Sequence, residues 1–397
     1  MSKAQNWLSL NFFTFFFTWG IFMPYWTAWL ISSKGLTVES ASTVIAVGLL
    51  VRSFSTFFIF PALSSKFPIG LLMKGLAISS VILLYLFIPF DSFYAMILAM
   101  TLFSLVYPLM LPLTESIGAI MMQSEHINYG KSRSFGSIGY TIGLLVIGAV
   151  TAYFGEGAII YIMFAGCLLV VVSAFYRTPA SLQEKSETTS VPFRSLLQSK
   201  RFVIAMIICV LIQGAHASYY NYGFLYLQHL GVNNTWGGII LNIAVISEII
   251  FFTMADRLMK NVHVSSMFLV AALASVVRWT LLFLFPNVSV YIFTQLLHSL
   301  TFGLAHFAFI RLLYQEFSSR EIPTAQGIYA SLGMGLSTSL LTFAGGYLYK
   351  ETPGLAFLGM TVVIIPAILL SLYMKKIMIL PYKIVENAFK TLFFPYT

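Results

Sequence analysis

The sequence predicts an all-α membrane protein with twelve transmembrane helices in two pseudo-symmetric halves of six. Three observations carry the prediction. Hydrophobic residues make up 59% of the 397 residues and charged residues only 9%, and mean hydropathy is +0.88. Soluble domains are about a quarter charged, so this chain lacks the polar surface a water-soluble fold needs. The apolar residues fall in long continuous runs, unlike the short alternating segments of a membrane barrel. One polar stretch, RTPASLQEKSETTSVPFRSLLQSKR (177–201), divides those runs six and six.

A helical crossing needs about 20 mostly apolar residues. The runs lie at 7–31, 39–61, 70–90, 93–122, 134–154, 157–176, 202–228, 235–254, 264–285, 288–310, 324–348 and 354–374. The first is too long for a signal-peptide core and has no small-residue cleavage site, so it is expected to be retained. Pro24, Pro108, Pro112 and Pro366 interrupt runs, which transmembrane helices tolerate.

Of the Lys and Arg residues, Arg52, Arg133, Arg278 and Arg311 lie within or at the edge of runs. Nearly all the others fall on the side that holds both termini, with Lys34 and Lys350 opposite. The positive-inside bias therefore places both termini in the cytoplasm, as in a bacterial inner membrane. Residues 1–177 form the expected first half, 178–201 a flexible cytoplasmic linker, and 202–397 the second half with a short tail. The net charge of +9 follows from this topology and does not indicate nucleic-acid binding. Cys167 and Cys209 sit in separate apolar runs without a ligand cluster, so two buried thiols are expected, with no disulfide and no metal.

The halves repeat one pattern. Each opens with an aromatic-rich run, then a short turn, then a run carrying one charge. Arg52 follows Gly35, and Glu248 follows Gly231, each 17 positions later. Internal repeats of this kind place a substrate site between the halves, near the midplane.

Charges inside the runs are few enough to weigh singly, since each costs about 2.5–3.5 kcal/mol at the bilayer centre. Arg52, Glu248 and Arg278 sit deep, where snorkelling is difficult, and read as pathway, pairing or binding residues. Glu115, in LPLTESIGAIMM, reads equally as a site residue or as one reaching headgroup water. Arg133, in YGKSRSFGSIGY, reads from position alone as a snorkelling charge. Gly139 and Gly143 nearby form a G-x-x-x-G spacing that allows close helix contact, which would turn Arg133 toward protein. His216, His298 and His306 lie in runs and suit either proton transfer or helix contact. The deep charges Arg52, Arg133 and Arg278 outnumber Glu115 and Glu248 by one. An anionic substrate would offset that excess, and arginine suits a carboxylate. Aromatic clusters NFFTFFFTWGIFMPYW and SYYNYGFLYL open the two halves. Most of these rings read as lipid-facing bulk, although a ring-lined cavity would suit an aromatic substrate. No phosphate-binding loop is present, so direct ATP drive is not expected, and neither zinc-protease nor serine-hydrolase motifs occur.

LIQGAHASYYNYGF, YGKSRSFGSIGY and GIFMPYWTAWL resemble signatures of the major facilitator superfamily, in the lactose-permease-like branch that contains the 3-phenylpropionic acid transporters. The resemblance covers essentially the whole chain. It implies a proton-coupled symporter that takes up an aromatic carboxylate by alternating access, as a monomer in the lipid bilayer, with no cofactor and no enzymatic activity. In lactose permease a span-four Glu and a span-five Arg 18 residues later bind sugar, and Glu115 and Arg133 match that spacing. A span-nine Arg and a span-ten His 20 residues later belong to its proton network, and Arg278 and His298 match. The deep positions and the resemblance together give Arg52, Glu115, Arg133, His216 and Tyr219 as the expected substrate-binding residues, and Glu248, Arg278 and His298 as the expected proton-coupling residues, with Glu115, Arg133, Arg278 and His298 carried by the resemblance. Two positions depart from the pattern. Thr301 replaces the permease's acidic proton carrier, and Gln295 replaces its Lys, which leaves Glu248 or Glu115 for the proton. The family's loop motif is degraded in the first half, and Asp256 and Arg257 keep part of it in the second, where they would support gating. Other readings remain open: a sugar or nucleoside–proton symporter, an exporter, or a membrane sensor or scaffold with a transporter fold.

Overall fold

The computed structural model describes residues 3–124, 127, 129–176, 178–179, 182, 196–317 and 321–379. Among these every regular element is helical, as one expects where the bilayer offers backbone groups no hydrogen-bond partner. Ten helical stretches are long and apolar enough to cross a membrane. In chain order we label them α2 Val38–Ser64, α4 Phe93–Gly118, α5 Lys131–Phe154, α6 Glu156–Phe175, α7 Lys200–His229, α8 Asn234–Ala255, α9 Val264–Leu284, α10 Val288–Leu313, α11 Thr324–Glu351 and α12 Leu355–Ile377. Two more helices complete the bundle. α1, Lys3–Lys34, is 32 residues long with Pro24 inside, and its Asn, Thr, Trp and Tyr residues hold its hydropathy down. α3, Ile69–Tyr85, is apolar but has only 17 residues, shorter than the run 70–90 suggests. The connector 178–201 falls largely outside the described residues. Its last two residues, Lys200 and Arg201, already belong to α7, whose N-cap is Ser199.

The two corresponding turns are built alike. Gly35 and Gly231 both adopt positive φ, 66° and 82°, a region glycine enters without steric cost. Two residues later Thr37 and Asn233 cap the next helices, accepting hydrogen bonds from the backbone N–H groups of Ser40 and Trp236. We call this the turn end of the bundle, and the opposite end the terminus end.

α5 lies tightly against α1. A Cβ on Gly139 would stand 2.2 Å from the Phe13 carbonyl oxygen, and one on Gly143 would stand 2.4 Å from that of Phe17. Only glycine permits such an approach, so the G-x-x-x-G pair brings the two backbones together and directs Arg133 inward.

Helices α1–α6 meet α7–α12 along two seams. On one, Lys350 pairs with Glu39 at 2.6 Å, Tyr222 donates to Ser42, and Ser339 and Ser331 donate to the carbonyls of Ala46 and Ser53. On the other, Gln228 and Asn234 donate to the Glu156 carboxylate, and Asn242 donates to the Thr141 carbonyl. There Gly148 and Gly238 face each other. A Cβ on Gly238 would stand 2.6 Å from the Leu144 carbonyl oxygen. The Tyr25 ring lies 4.1 Å from that of Phe224 beside this crossing. Both seams run from the turn end to mid-depth, so the turn end is sealed.

Regular helix breaks at mid-depth. α2 contains a π-turn at Ser55–Ile59, α4 a 3₁₀ turn at Tyr107–Leu109 around Pro108, α10 a π-turn at Ser299–Gly303, and α11 a π-stretch at Tyr329–Leu336. α7 is interrupted between Gly214 and Ala217. Cys167 and Cys209 are buried and free.

The Gly148–Gly238 crossing yields a prediction. Gly238→Val would overpack the sealed seam, at about 1–3 kcal/mol, and shift population toward a separated turn end by roughly tenfold. Spin labels at the exposed Tyr153 and Trp236 positions should then report a longer-distance population. A distribution identical to that of the unmodified protein would contradict the seal.

Candidate functional site

On the first six helices, one face of α1 carries Phe12, Phe16, Trp19 and Phe22, spaced three or four residues apart. Two arginines rest on it. The Arg133 guanidinium lies 4.3 Å from the Phe16 ring centre and 5.6 Å from that of Phe12. Its Nε donates to Glu115 at 3.0 Å, with both side chains about a third exposed, at 36% and 34%. The Arg52 guanidinium lies 4.8 Å from the Trp19 ring, just before the π-turn of α2. Arg52 makes no ion pair among the described residues. It borders a cavity lined by Trp19, Phe22, Met23, Leu49, Met100 and, from α7, Asn221. Tyr107 extends the ring surface, stacked on Trp19 and Phe103, with its hydroxyl bonded to Thr18.

On the last six helices the breaks in α7 and α10 bring a second cluster together. Arg278 on α9 has no exposed surface. Its Nη1 donates to His298 Nδ1 at 2.9 Å and to Thr301 Oγ1 at 3.1 Å. Its guanidinium lies 4.6 Å from the Tyr219 ring and 4.5 Å from the Trp279 ring. The far side of His298 meets Glu248 on α8, Nε2 to Oε2 3.6 Å. Glu248 lies over Gly303, where a Cβ would come within 3.8 Å of its Cγ. His216, at the interruption of α7, joins Thr301 at 3.0 Å through Nε2 and the Ile212 carbonyl at 2.9 Å through Nδ1. Along α10 the rings of His298, Phe302 and His306 form a parallel column, with centres 5.3 and 6.1 Å apart. His306 reaches the Tyr329 hydroxyl at 3.1 Å, which also accepts from Gln213.

The clusters face each other across the bundle. Arg133 lies within electrostatic range of Glu248. Tyr220 lies within range of Arg52, Glu248 and Arg278. Arg52, Glu115, Arg133 and Glu248 are partly exposed at mid-depth, while His216 and Arg278 are fully buried and His298 nearly so. Tyr219 is buried against Arg278 and His298. Arg257 lies exposed where the α8 helix runs out, at Leu258, away from this convergence, and the Asp256 side chain lies outside the described residues. Arg311 instead ties α10 to the turn after α8, donating to the carbonyls of Met259 and Lys260. No group of metal-ligating side chains occurs among the described residues.

Tyr220, Asn221, Trp19 and Tyr329 belong to this constellation, and sequence reading does not single them out. Their signal was diluted because rings occur all along α1 and α7. Thr301 stood out only as the residue replacing an acid, and its role emerges from its three polar contacts.

An all-helical membrane bundle with partly exposed, mutually facing charges at its centre defines a membrane transporter acting on small molecules. The chain belongs to the MFS_1 like family, whose model matches residues 6–358. It is 28% identical over 373 residues to a "Probable 3-phenylpropionic acid transporter" of Escherichia coli (strain K12), covering 93% of this chain and 97% of that protein. It is 24% identical over 370 residues to a maltose permease of Geobacillus stearothermophilus, covering 92% and 93%. The fold is similar to the crystal structure of the nucleoside transporter NupG, with a TM-score of 0.76 at 15% identity over 99% of this chain and 100% of that one. It is also similar to the POT family transporter PepTSo, with a TM-score of 0.75 at 10% identity over 99% of both chains.

The exposures generate a prediction. A double-mutant cycle on Arg133→Gln and Glu115→Gln, read by chemical unfolding, should give a coupling of about 1 kcal/mol or less. The same cycle on Arg201→Gln and Glu316→Gln should give more, because that pair, 2.8 Å apart, is 14% and 8% exposed. Equal couplings would contradict a hydrated setting for Arg133 and Glu115.

Proposed function

We propose that this protein takes up an aromatic carboxylate together with a proton, by alternating access between two six-helix halves. The observation that carries the reading is the setting of Arg52. A mid-depth guanidinium without an ion pair among the described residues borders a cavity of aromatic and methionine side chains. A carboxylate would satisfy the cation, and a phenyl ring would sit against Trp19 and Phe22, which line the cavity. The resemblance to a probable 3-phenylpropionic acid transporter supports the same class.

On this reading α1 and α3 also cross the membrane, giving twelve crossings with both termini in the cytoplasm of a bacterial inner membrane. Residues 1–177 and 202–397 act as the two halves, joined by the linker 178–201. The sealed turn end then faces outward. Arg52, with Arg133 and Glu115 nearby, holds substrate. Glu248 carries the proton, with Arg278 and His298 supporting it, and Asp256 and Arg257 support gating. The protein works as a monomer without a cofactor.

A second reading has its own observation. The Arg133–Glu115 pair is internally neutral, partly exposed and backed by Phe16, an arrangement that suits the hydroxyls and apolar face of a sugar or nucleoside. Competition between labelled 3-phenylpropionate and maltose or uridine in proteoliposomes separates the two.

Two substitutions test the main reading. Glu248→Gln should abolish accumulation driven by an imposed pH gradient while sparing exchange of preloaded substrate, and equal loss of both would remove Glu248 from the proton role. Arg52→Gln should weaken 3-phenylpropionate binding by roughly tenfold or more, as expected for losing a hydrogen bond between charged partners. Binding unchanged by that substitution would place the carboxylate elsewhere.

A further inference from the structure

The cluster around His298 fixes the direction of every hydrogen bond in it. A guanidinium only donates, so Nδ1 of His298, 2.9 Å from Arg278 Nη1, must present its lone pair. In a neutral imidazole the proton then sits on Nε2, the nitrogen facing Glu248. The same reasoning sets the next link. A carbonyl only accepts, so His216 carries its proton on Nδ1, toward Ile212. Its Nε2 is therefore an acceptor, and the Thr301 hydroxyl donates to it at 3.0 Å in preference to the His298 carbonyl at 3.3 Å. The Thr301 oxygen in turn accepts the second Nη1 hydrogen of Arg278.

We propose that His298 is held as a neutral imidazole protonated on Nε2, whose N–H, 3.6 Å from Glu248 Oε2, is aimed to donate to that carboxylate on a small side-chain shift rather than to store the proton itself. Thr301 and His216 are positioning residues that hold Arg278 in the orientation this requires. The role assigned to His298 rests on the proton reading of Glu248 given above, while its tautomer does not. A proton added to His298 Nδ1 would point at the Arg278 guanidinium and break their bond. Among the described residues the one hydrogen-bond partner that meets Nδ1 is Arg278, and the groups around the imidazole come from four helices. They are Glu248 from α8 on the Nε2 side, Arg278 from α9 on the Nδ1 side, the His216 and Tyr219 rings from α7, and Thr301 and Phe302 on its own helix. Thr301, at the position where the lactose-permease branch has an acid, thus completes a donor chain.

The test combines a direct reading of the imidazole with transport. In ¹⁵N-histidine spectra of the full-length protein in nanodiscs, assigned against His298→Gln, His298 should show a neutral Nε2–H tautomer from about pH 5.5 to 8.5. Thr301→Val should mix the His298 and His216 tautomers, and Thr301→Ser, which keeps the hydroxyl, should restore them. In proteoliposomes His298→Gln should keep pH-driven uptake within about threefold, because an amide N–H still donates, whereas His298→Leu should lose roughly tenfold or more. An imidazolium signal, an Nδ1–H tautomer, or spectra unmoved by Thr301→Val overturns the proposal, as does loss of uptake in His298→Gln equal to that in His298→Leu. If the unmodified protein shows no proton-driven uptake, the proposed function fails, and the spectra still decide the tautomer.

Discussion

A guanidinium with no exposed surface, bonded to a neutral imidazole, sets the terms for the rest of this structure. Arg278 cannot draw on solvent, so its acceptors must be fixed in place. Two irregularities supply them. The π-turn of α10 carries Thr301 one helical step beyond His298, so both reach the same Nη1. The interruption of α7 lets the His216 ring reach across to Thr301 while its other nitrogen bonds to the preceding turn. The break in α10 carries both acceptors of Arg278, and the break in α7 acts on it through Thr301. The breaks are thus the local cost of keeping a charge in the core, and such turns recur at functional sites.

The two sets of six helices handle cations by different chemistry. On the first, arginines rest on rings: Arg133 on Phe16 and Arg52 on Trp19. Cation–π contact and partial hydration hold them without consuming all their donors. On the second, Arg278 is enclosed, and its Nη1 alone serves the internal acceptors His298 and Thr301. Arg52 and Glu248 follow matching glycines at the same spacing, so the repeat places opposite charges at related positions. The first set therefore presents partly exposed cations resting on rings, and the second presents an acid beside an enclosed cation and its imidazole.

The crossing helices were legible in the sequence because burial in lipid demands long apolar runs, and the turns at Gly35 and Gly231 were legible from their shared spacing. The inward turn of Arg133 was foreshadowed by Gly139 and Gly143, since only glycines admit the α1 backbone so closely. The helix breaks were mostly hidden. Pro108 marks the one in α4, but the π-turns at Ser55–Ile59 and Ser299–Gly303 arise from packing that no local propensity encodes. For the same reason the sequence could match His298 to a family position and yet give Thr301 no role. α1 also shows why hydropathy understates some helices, because its Asn, Thr and Trp residues face protein rather than lipid, as the burial of Asn11, Thr18 and Trp26 shows.

The charge inventory bears on how substrate and proton would be linked. Arg133 is matched by Glu115, and Arg278 is joined through His298 to Glu248, which leaves Arg52 as the excess cation of the deep set. A neutral sugar would leave it so. A carboxylate would match it, but would also bring a second anion into the space that Glu248 shares, since Tyr220 lies within electrostatic range of both Arg52 and Glu248. Two anions in one poorly hydrated chamber repel, and a proton arriving with the substrate removes that repulsion. Because such coupling is reciprocal, the proton would strengthen carboxylate binding by the factor by which the carboxylate strengthens proton binding. On the proposed reading an aromatic acid and a proton would then travel together without any residue passing the proton directly to the substrate. On the same reading the Trp19 and Phe22 rings beside Arg52 would favour an aromatic acid, because a small hydrophilic anion would satisfy the guanidinium yet make no contact with them.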